Sequence, residues 1–187
     1  MPIARNPRSP LADRLRKRID REPSPGLASG VPWASVMLLS LVPFAPLVVS
    51  APVMPPLAFM ALLAWRMLRP SLLPVWAGAP LGAFDDLYSG QPFGSAIVLW
   101  SVVMIGLDYI DARLRPRGFA ADWALAAAMV ASYLLLAALI ADATGGATPL
   151  VFVGPQILLA VATYPATIGL VALLDRLRLI PIRVIAK

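Results

Sequence analysis

The 187-residue sequence contains no cysteine and no histidine. Disulfide bonds, thiolate nucleophiles and histidine-based catalytic triads are therefore excluded, and so are zinc sites built from these two residue types. Because most enzyme classes depend on these reagents, the sequence predicts neither an enzymatic activity nor a cofactor.

Charged residues are also scarce. They make up 14% of the chain against 59% hydrophobic residues, and the mean hydropathy is +0.78. A globular core of this size cannot bury so much apolar surface, so the composition predicts an all-α transmembrane protein with several spans. The net charge of +6 is then expected to reflect membrane topology.

Residues 1–30 lack the apolar segment and cleavage site of a secretory signal, and we expect them to remain in the mature protein. They include five prolines and seven basic residues against three acidic ones, which predicts a basic cytoplasmic tail drawn to anionic lipid. A specific partner-binding arm is the alternative. Nucleic acid is not a predicted partner, since the segment has no aromatic residue to stack on a base.

Long apolar runs separated by prolines and charges predict a six-helix transmembrane domain over residues 31–178. Residues 31–65 carry no charge and are too many for one span of about 20 residues. Prolines at 52, 55 and 56 mark a turn there, because proline breaks a helix interior. A re-entrant pair formed by the second and third helices is the alternative to two full spans. The predicted helices cover about residues 32–51, 53–68, 71–84, 93–110, 123–141 and 150–174, followed by a basic cytoplasmic C-terminus at 179–187.

The distribution of charge independently indicates the same layout. With the amino terminus inside, all 16 Lys and Arg residues fall in the tail, the cytoplasmic turns or the C-terminus, as the positive-inside rule requires. The outer turns carry only the charges of Asp85, Asp86 and Asp142. Both termini are therefore predicted to be cytoplasmic.

A few side chains have a predicted role in this layout. The first helix is expected to kink near Pro43 and Pro46. Arg66, at the end of the short second helix, is expected to snorkel toward the lipid headgroups. Three tryptophans at predicted inner helix ends are expected to form an interfacial belt, namely Trp33, Trp65 and Trp123.

Acidic, turn-forming and small residues crowd together in the segment 82–94, between two long apolar runs. Asp85, Asp86 and Ser89 offer the hard oxygen ligands that Mg²⁺ prefers. A diphosphate-binding site would also need a second acidic cluster and basic groups, and the outer face adds only Asp142. Neither a metal site nor a catalytic site is predicted here.

A capped turn is the preferred interpretation of this segment. Gly90 and Pro92 predict the turn itself. Ser89 or Asp86 is expected to cap the fourth helix by accepting its free amide hydrogens, and the helix dipole favours a carboxylate at that position.

Other residues of the segment are candidates for packing or partner contact. Gly82, Gly90 and Gly94 are expected to allow backbone contact between the third and fourth helices. Capping accounts for only one of the two aspartates at 85 and 86. The other aspartate, together with Tyr88 and Phe93, forms a candidate partner-facing surface.

At the other end of the fourth helix, Asp108, Asp111 and Arg115 share one face at spacings of three and four. A weakly stabilising ion pair between Asp111 and Arg115 is the ordinary interpretation. Docking of a cytoplasmic partner on Asp108 and Asp111 is the alternative.

The pattern Gly-x-x-x-Asp-Leu-x-Ser-Gly-x-x-x-Gly runs through the segment 82–94, within a small basic bundle of predicted helices. This pattern resembles that of the MreD family, the rod shape-determining integral membrane proteins of bacteria. The resemblance extends over the predicted membrane region. In this resemblance Asp86, rather than Asp85, occupies the aspartate position of the family pattern. The matching residues are Gly82, Asp86, Leu87, Ser89, Gly90 and Gly94.

The resemblance implies a non-enzymatic scaffold of the elongation machinery, or elongasome, in the bacterial inner membrane. Its implied direct partner is MreC. MreB, the RodA glycosyltransferase and its penicillin-binding transpeptidase are implied members of the same assembly. Maintenance of rod cell shape and organisation of peptidoglycan synthesis are the implied roles.

The family is also similar in architecture to the substrate-binding subunits of energy-coupling-factor vitamin transporters. A small-molecule (vitamin-like) substrate-binding subunit of a membrane transporter is therefore an alternative function. A carrier needs a pocket with convergent polar groups. The sequence offers few candidates for it: Gln156, Tyr133, Ser132, Ser101, Thr163 and Tyr164.

Overall fold

A computed structural model describes residues 25–44, 54–113, 118–145 and 150–178. The tail before residue 25, Pro46, the predicted turn at proline 52, Arg115 and the C-terminus at 179–187 lie outside these residues. The described residues form six α-helices, three 3₁₀ turns and no strand. The helices are α1 (Pro25–Ser40), α2 (Leu57–Leu68), α3 (Gly78–Tyr88), α4 (Ser95–Arg113), α5 (Phe119–Ala143) and α6 (Val153–Arg178).

Three of these helices, α4, α5 and α6, are long and apolar enough to cross a membrane. They contain 19, 25 and 26 residues, with mean hydropathies of 1.6, 2.3 and 2.2. At 1.5 Å per residue even α4 reaches about 29 Å, close to the thickness of the hydrocarbon core. Helices α1 and α2 are apolar but shorter, and α3 has 11 residues.

Helix α1 differs from its predicted range at both ends. It already includes Pro25, which lies well before the predicted start near residue 32. It ends at Ser40, and Pro43 lies in a 3₁₀ turn at Val42–Phe44. The expected kink at Pro43 is thus a helix end, since the proline ring clashes with the carbonyl four residues earlier.

Helix α3 starts and ends later than the predicted range 71–84. A 3₁₀ turn at Val75–Ala77 precedes it, and it continues to Tyr88. Pro80 is its third residue, where amide hydrogens are still free of the helical ladder, so the proline does not break the helix. The two aspartates at 85 and 86 therefore lie in the last turns of a helix and not in the loop that follows.

Helix α2 is the centre of the bundle. It packs against α1, α5 and α6, and every residue from Ala58 to Arg66 is buried. Trp65 is fully buried, and its indole N–H donates to Ser35 Oγ at 2.8 Å. The expectation that Trp65 joins an interfacial belt is therefore wrong, because packing by α1 covers it.

Arginines near the end of α2 are bound by carboxylates from α4 and α6. Arg66 binds Asp108 and the carbonyl of Pro70, while Arg69 binds Asp175 at 3.1 Å. Asp175 also accepts from Arg178 at 2.7 Å. The side chain of Arg66 is only 6% exposed, so the expectation that it snorkels is wrong: a carboxylate and a carbonyl within the protein take the place of the headgroups.

Candidate functional site at the α3–α4 hairpin

Two glycines allow α3 and α4 to pack with their backbones in contact. A Cβ atom on Gly82 would lie 2.6 Å from the carbonyl oxygen of Ala96, and one on Gly78 would lie 2.8 Å from that of Trp100. No side chain fits at such distances, so glycine is required at both positions. Sequence reasoning assigned this role to Gly82 but missed Gly78, although the four-residue spacing was a usable signal.

Asp86 caps α4 from the neighbouring helix. Its Oδ1 accepts from the backbone N–H of Ala96 at 2.9 Å and from the hydroxyl of Ser95 at 3.2 Å. Its Oδ2 accepts from the backbone N–H groups of Gly94 at 2.9 Å and Ile97 at 3.2 Å. The buried carboxylate thereby satisfies amide hydrogens that have no partner within the helix, and the helix dipole favours its charge.

Ser89, the other predicted cap, has a different role. It follows the last residue of α3, and its Oγ accepts from the backbone N–H of Gln91 at 3.4 Å. Gly90 and Gly94 have φ angles of +70° and +100°, and the space around their Cβ positions is open. These two glycines therefore shape the turn through their backbone conformation, and the expectation that they allow helix contact is wrong.

The outward side of the hairpin exposes large apolar side chains. Phe93 is 70% exposed, Leu87 65% and Tyr88 37%, and the rings of Phe84 and Tyr88 pack with centroids 4.9 Å apart. We call Leu87, Tyr88 and Phe93 the hairpin surface. Asp85 is not part of it, since this side chain is buried on the opposite side.

Behind the hairpin lies a cavity of about 220 Å³. The end of α3 and the turn after it contribute Asp85, Ser89 and Gln91 to its lining. Apolar residues of α1, α2, α5 and the turns beside them form much of the wall. The other polar and aromatic lining residues are Ser40, Phe59, Trp100, Tyr133 and Gln156.

Hydrogen bonds across the cavity tie its walls together. Gln91 Nε2 donates to the hydroxyl of Tyr133 at 3.5 Å, and Gln156 Nε2 donates to the carbonyl of Met54 at 2.6 Å. Within the described part of the chain, Ser40 Oγ and Trp100 Nε1 are buried without a hydrogen-bond partner. Each atom lies beside a polar group of the cavity without reaching hydrogen-bond geometry, Ser40 beside the carboxylate of Asp85 and Trp100 beside the hydroxyl of Tyr133.

Only two of the residues named as candidates for a carrier pocket line this cavity, Gln156 and Tyr133. Tyr164 donates to Met67 Sδ at 3.4 Å elsewhere in the bundle. The hydroxyls of the other three donate to carbonyls of their own helices: Ser101 to Ile97, Ser132 to Ala128 and Thr163 to Leu159. Sequence reasoning missed Ser40, Gln91 and Trp100, because no local pattern brings α1, the turn and α4 together.

Asp108 and Asp111 lie at the far end of α4, roughly 20 Å from the cap at 1.5 Å per residue. Asp108 pairs with Arg66 of α2, a partner that lies 42 residues away in the sequence. Arg115, the predicted partner of Asp111, is outside the described residues. The structure therefore separates the candidate contacts into two groups at opposite ends of the helix.

Carboxylates are not gathered into a metal site in the part of the chain that the structure describes. No three acidic side chains there are placed to hold one ion. The pair at 85 and 86 is divided, since Asp86 binds the start of α4 and Asp85 faces the cavity.

Comparison with known proteins identifies the family. The family model for the rod shape-determining protein MreD matches residues 29–174, which is most of the chain and includes the whole hairpin. No curated protein and no solved structure matched the chain. The hairpin pattern, the long apolar helices and this match lead to one conclusion: the chain belongs to the MreD family of rod shape-determining membrane proteins.

Proposed function

We propose that the protein is a non-enzymatic membrane scaffold of the bacterial elongation machinery and that it binds MreC directly. Family membership supports a role in rod shape. The observation that carries the scaffold proposal is the hairpin: a backbone held by Gly82 and by the four-bond cap of Asp86 presents exposed apolar side chains.

A rigid, exposed apolar surface suits partner binding for energetic reasons. Side chains on a preorganised backbone lose less conformational entropy on association than those on a flexible loop. Aromatic residues are enriched at protein interfaces, and buried aromatic anchors often dominate the binding energy. In the hairpin surface Tyr88 and Phe93 are the aromatic residues available for this role.

The proposed topology is a multi-pass bundle in the inner membrane, with six spans and both termini in the cytoplasm. The confinement of all 16 Lys and Arg residues to one predicted side supports it. In this orientation the hairpin surface is periplasmic, where it meets the membrane-proximal part of MreC. The arginine end of α2 is then cytoplasmic.

The cytoplasmic end of the bundle is the proposed meeting point with the rest of the assembly. Asp108 and Asp111 at the end of α4 are the candidate contacts there, and the basic tail is expected to bind anionic lipid. MreB, RodA and the penicillin-binding transpeptidase are the proposed further members, through which the scaffold would organise peptidoglycan synthesis.

Co-purification with MreC tests the proposal. The double variant Tyr88→Ala, Phe93→Ala removes the aromatic anchors while the cap of Asp86 and the glycine contacts stay in place. We expect the amount of MreC recovered with it to fall about tenfold or more. The control is Leu139→Ala on α5, which also truncates a half-exposed apolar residue but lies outside the hairpin. Equal recovery by the double variant and the control would contradict the proposal.

The cysteine-free chain allows a direct test of the topology. Thr144→Cys and Ala112→Cys place exposed thiols at opposite ends of the bundle. A membrane-impermeant maleimide added to intact spheroplasts is expected to label the first and to spare the second. The reverse pattern would overturn the orientation.

The cavity favours a second candidate function, a substrate-binding subunit of a small-molecule transporter. Its volume of about 220 Å³ is below the roughly 300–1,000 Å³ typical of drug-sized ligands, which makes a vitamin-like substrate a poor fit. Uptake of a labelled vitamin that depends on this protein, with MreC recovery unaffected by the double variant, would favour the carrier over the scaffold.

A further inference from the structure

We propose that the cavity behind the hairpin binds a small ammonium group that carries a neighbouring oxygen, as in ethanolamine. The site is formed by α1, α2, α5 and α6 together with the buried side of the α3–α4 hairpin. It is separate from the hairpin surface, and a ligand there is compatible with a scaffold as well as with any other function of the bundle.

The charge of the cavity selects a cation. Asp85 lines it and is 8% exposed, and no Lys or Arg is among the lining residues that the structure describes. Within the described residues no cationic side chain forms an ion pair with Asp85, whereas the neighbouring Asp86 is bound by the amide groups at the start of α4. A buried carboxylate without a counter-ion is costly, and a bound ammonium would supply the missing positive charge.

The walls of the cavity suit an organic cation better than a metal ion. Phe59 stacks on Tyr133 with ring centroids 4.3 Å apart and packs against Trp100 at 5.8 Å. All three rings line the cavity. Aromatic rings attract ammonium groups through the negative charge on their faces, while a hard metal ion would require several oxygen ligands in place of such rings.

Trp100 Nε1 and Ser40 Oγ favour a ligand that also carries an oxygen. Trp100 Nε1 is a donor only and makes no hydrogen bond of normal geometry, although the hydroxyl of Tyr133 lies beside it; a ligand oxygen would give it a well-aligned acceptor, which an ammonium group cannot. Ser40 Oγ can accept a hydrogen bond from the ammonium itself. A ligand that satisfies both atoms carries an N–H donor and an oxygen acceptor close together.

The size of the cavity limits the ligand to a small group. A volume of about 220 Å³ is smaller than the roughly 300–1,000 Å³ of sites for drug-sized ligands. Free ethanolamine fits this volume, and so does the ethanolamine headgroup of a phospholipid whose acyl chains stay in the bilayer. These two sources share the same chemistry, and an experiment can separate them.

The test uses the full-length protein purified in a detergent free of phosphatidylethanolamine. Isothermal titration measures binding of ethanolamine, with inorganic phosphate as the anionic control. Native mass spectrometry then measures which lipid the protein retains from bilayers of equal phosphatidylethanolamine and phosphatidylglycerol content. Binding of ethanolamine indicates a free amine, and selective retention of phosphatidylethanolamine alone indicates the headgroup.

Matched variants assign the binding to the cavity. Asp85→Asn keeps the shape of the side chain and removes its charge, and we expect it to weaken binding about tenfold or more. Asp142→Asn removes an exposed aspartate away from the cavity and should change binding less than about twofold. Trp100→Phe, which keeps a ring and removes the N–H, should weaken binding several-fold and serves as the second test if Asp85→Asn does not fold.

Three outcomes would overturn the proposal. The first is no binding of ethanolamine together with no preference between the two lipids. The second is binding of phosphate as strong as that of ethanolamine. The third is equal binding by the wild-type protein and either cavity variant.

Discussion

At one end of α4 the carboxylate of Asp86 is held by three backbone amides and one hydroxyl. At the other end the charges belong to side chains: Arg66 binds Asp108, and Asp175 of α6 binds two arginines. Backbone donors require an exact path of the chain, whereas ion pairs require only that opposite charges come within reach. The hairpin end should therefore respond to changes of backbone shape and residue size, and the arginine end to changes of charge.

The largest effect is expected from Gly82→Leu at the hairpin end. A side chain at this position meets the backbone of Ala96, which cannot move without shifting α4, so we expect a loss of about 3 kcal/mol or more in the free energy of unfolding. Thermal unfolding in detergent measures it. Gly106→Ala on α4 is the control, because open space surrounds that glycine. A similar melting temperature for the two variants would mean that the close helix contact is not required.

Asp175→Asn is the corresponding test of the arginine end. It removes the carboxylate charge that binds Arg69 and the buried Arg178, and we expect a loss of about 2–3 kcal/mol. Asp142→Asn is the control: it also removes one negative charge, but at an exposed position, and it is expected to change the free energy of unfolding little. Added salt should destabilise the wild-type protein more than it destabilises the Asp175→Asn variant. Equal effects of salt on the two proteins would contradict the proposed role of charge at this end.

Removal of the cap should have an intermediate effect. Asp86→Ala leaves the amides of Gly94, Ala96 and Ile97 without their acceptor, and we expect a loss of about 2 kcal/mol. Asp86→Asn keeps one acceptor oxygen and should lose less. Ser89→Ala provides the control, since Ser89 does not cap α4. Chemical denaturation that ranked Ser89→Ala as the more damaging change would contradict the assignment of the cap.

The smallest effect is expected from the turn. Gly90→Ala forces a side chain into a left-handed backbone conformation at φ +70°, at a cost of about 1 kcal/mol. Gly90→Asn should cost less, because asparagine tolerates that conformation. The melting temperatures of the two variants provide the measurement, and an alanine variant as stable as wild type would show that the turn can adopt another conformation.

Features that depend on neighbouring residues could be read from the sequence. The chain order Asp86, turn, helix start places a carboxylate within reach of free amide hydrogens. The turn at Gly90 follows from residue type alone. The close contact at Gly82 was also predicted, because small residues within apolar helices of membrane proteins often mark close helix packing.

Features that depend on distant residues were not predictable in this way. Arg66 meets Asp108 across 42 residues and Trp65 meets Ser35 across 30, so local rules assigned both α2 residues to the membrane interface. Gly90 and Gly94 were assigned to helix packing, since a sequence does not reveal whether a glycine is required for space or for a positive φ. The different roles of Asp85 and Asp86 could likewise be assigned only from the positions of α1 and α5 in the structure.

The sequence by itself determined the class of protein, the apolar helices and the pattern that places this chain in the MreD family. These properties follow from composition and from contacts between residues close in the chain. Only the tertiary structure decided that Asp86 caps α4 while Asp85 faces a cavity, and that Arg66 of α2 is buried against Asp108 of α4. The reason is physical: a buried charge is stable only where its partners lie, and packing brings those partners from other helices.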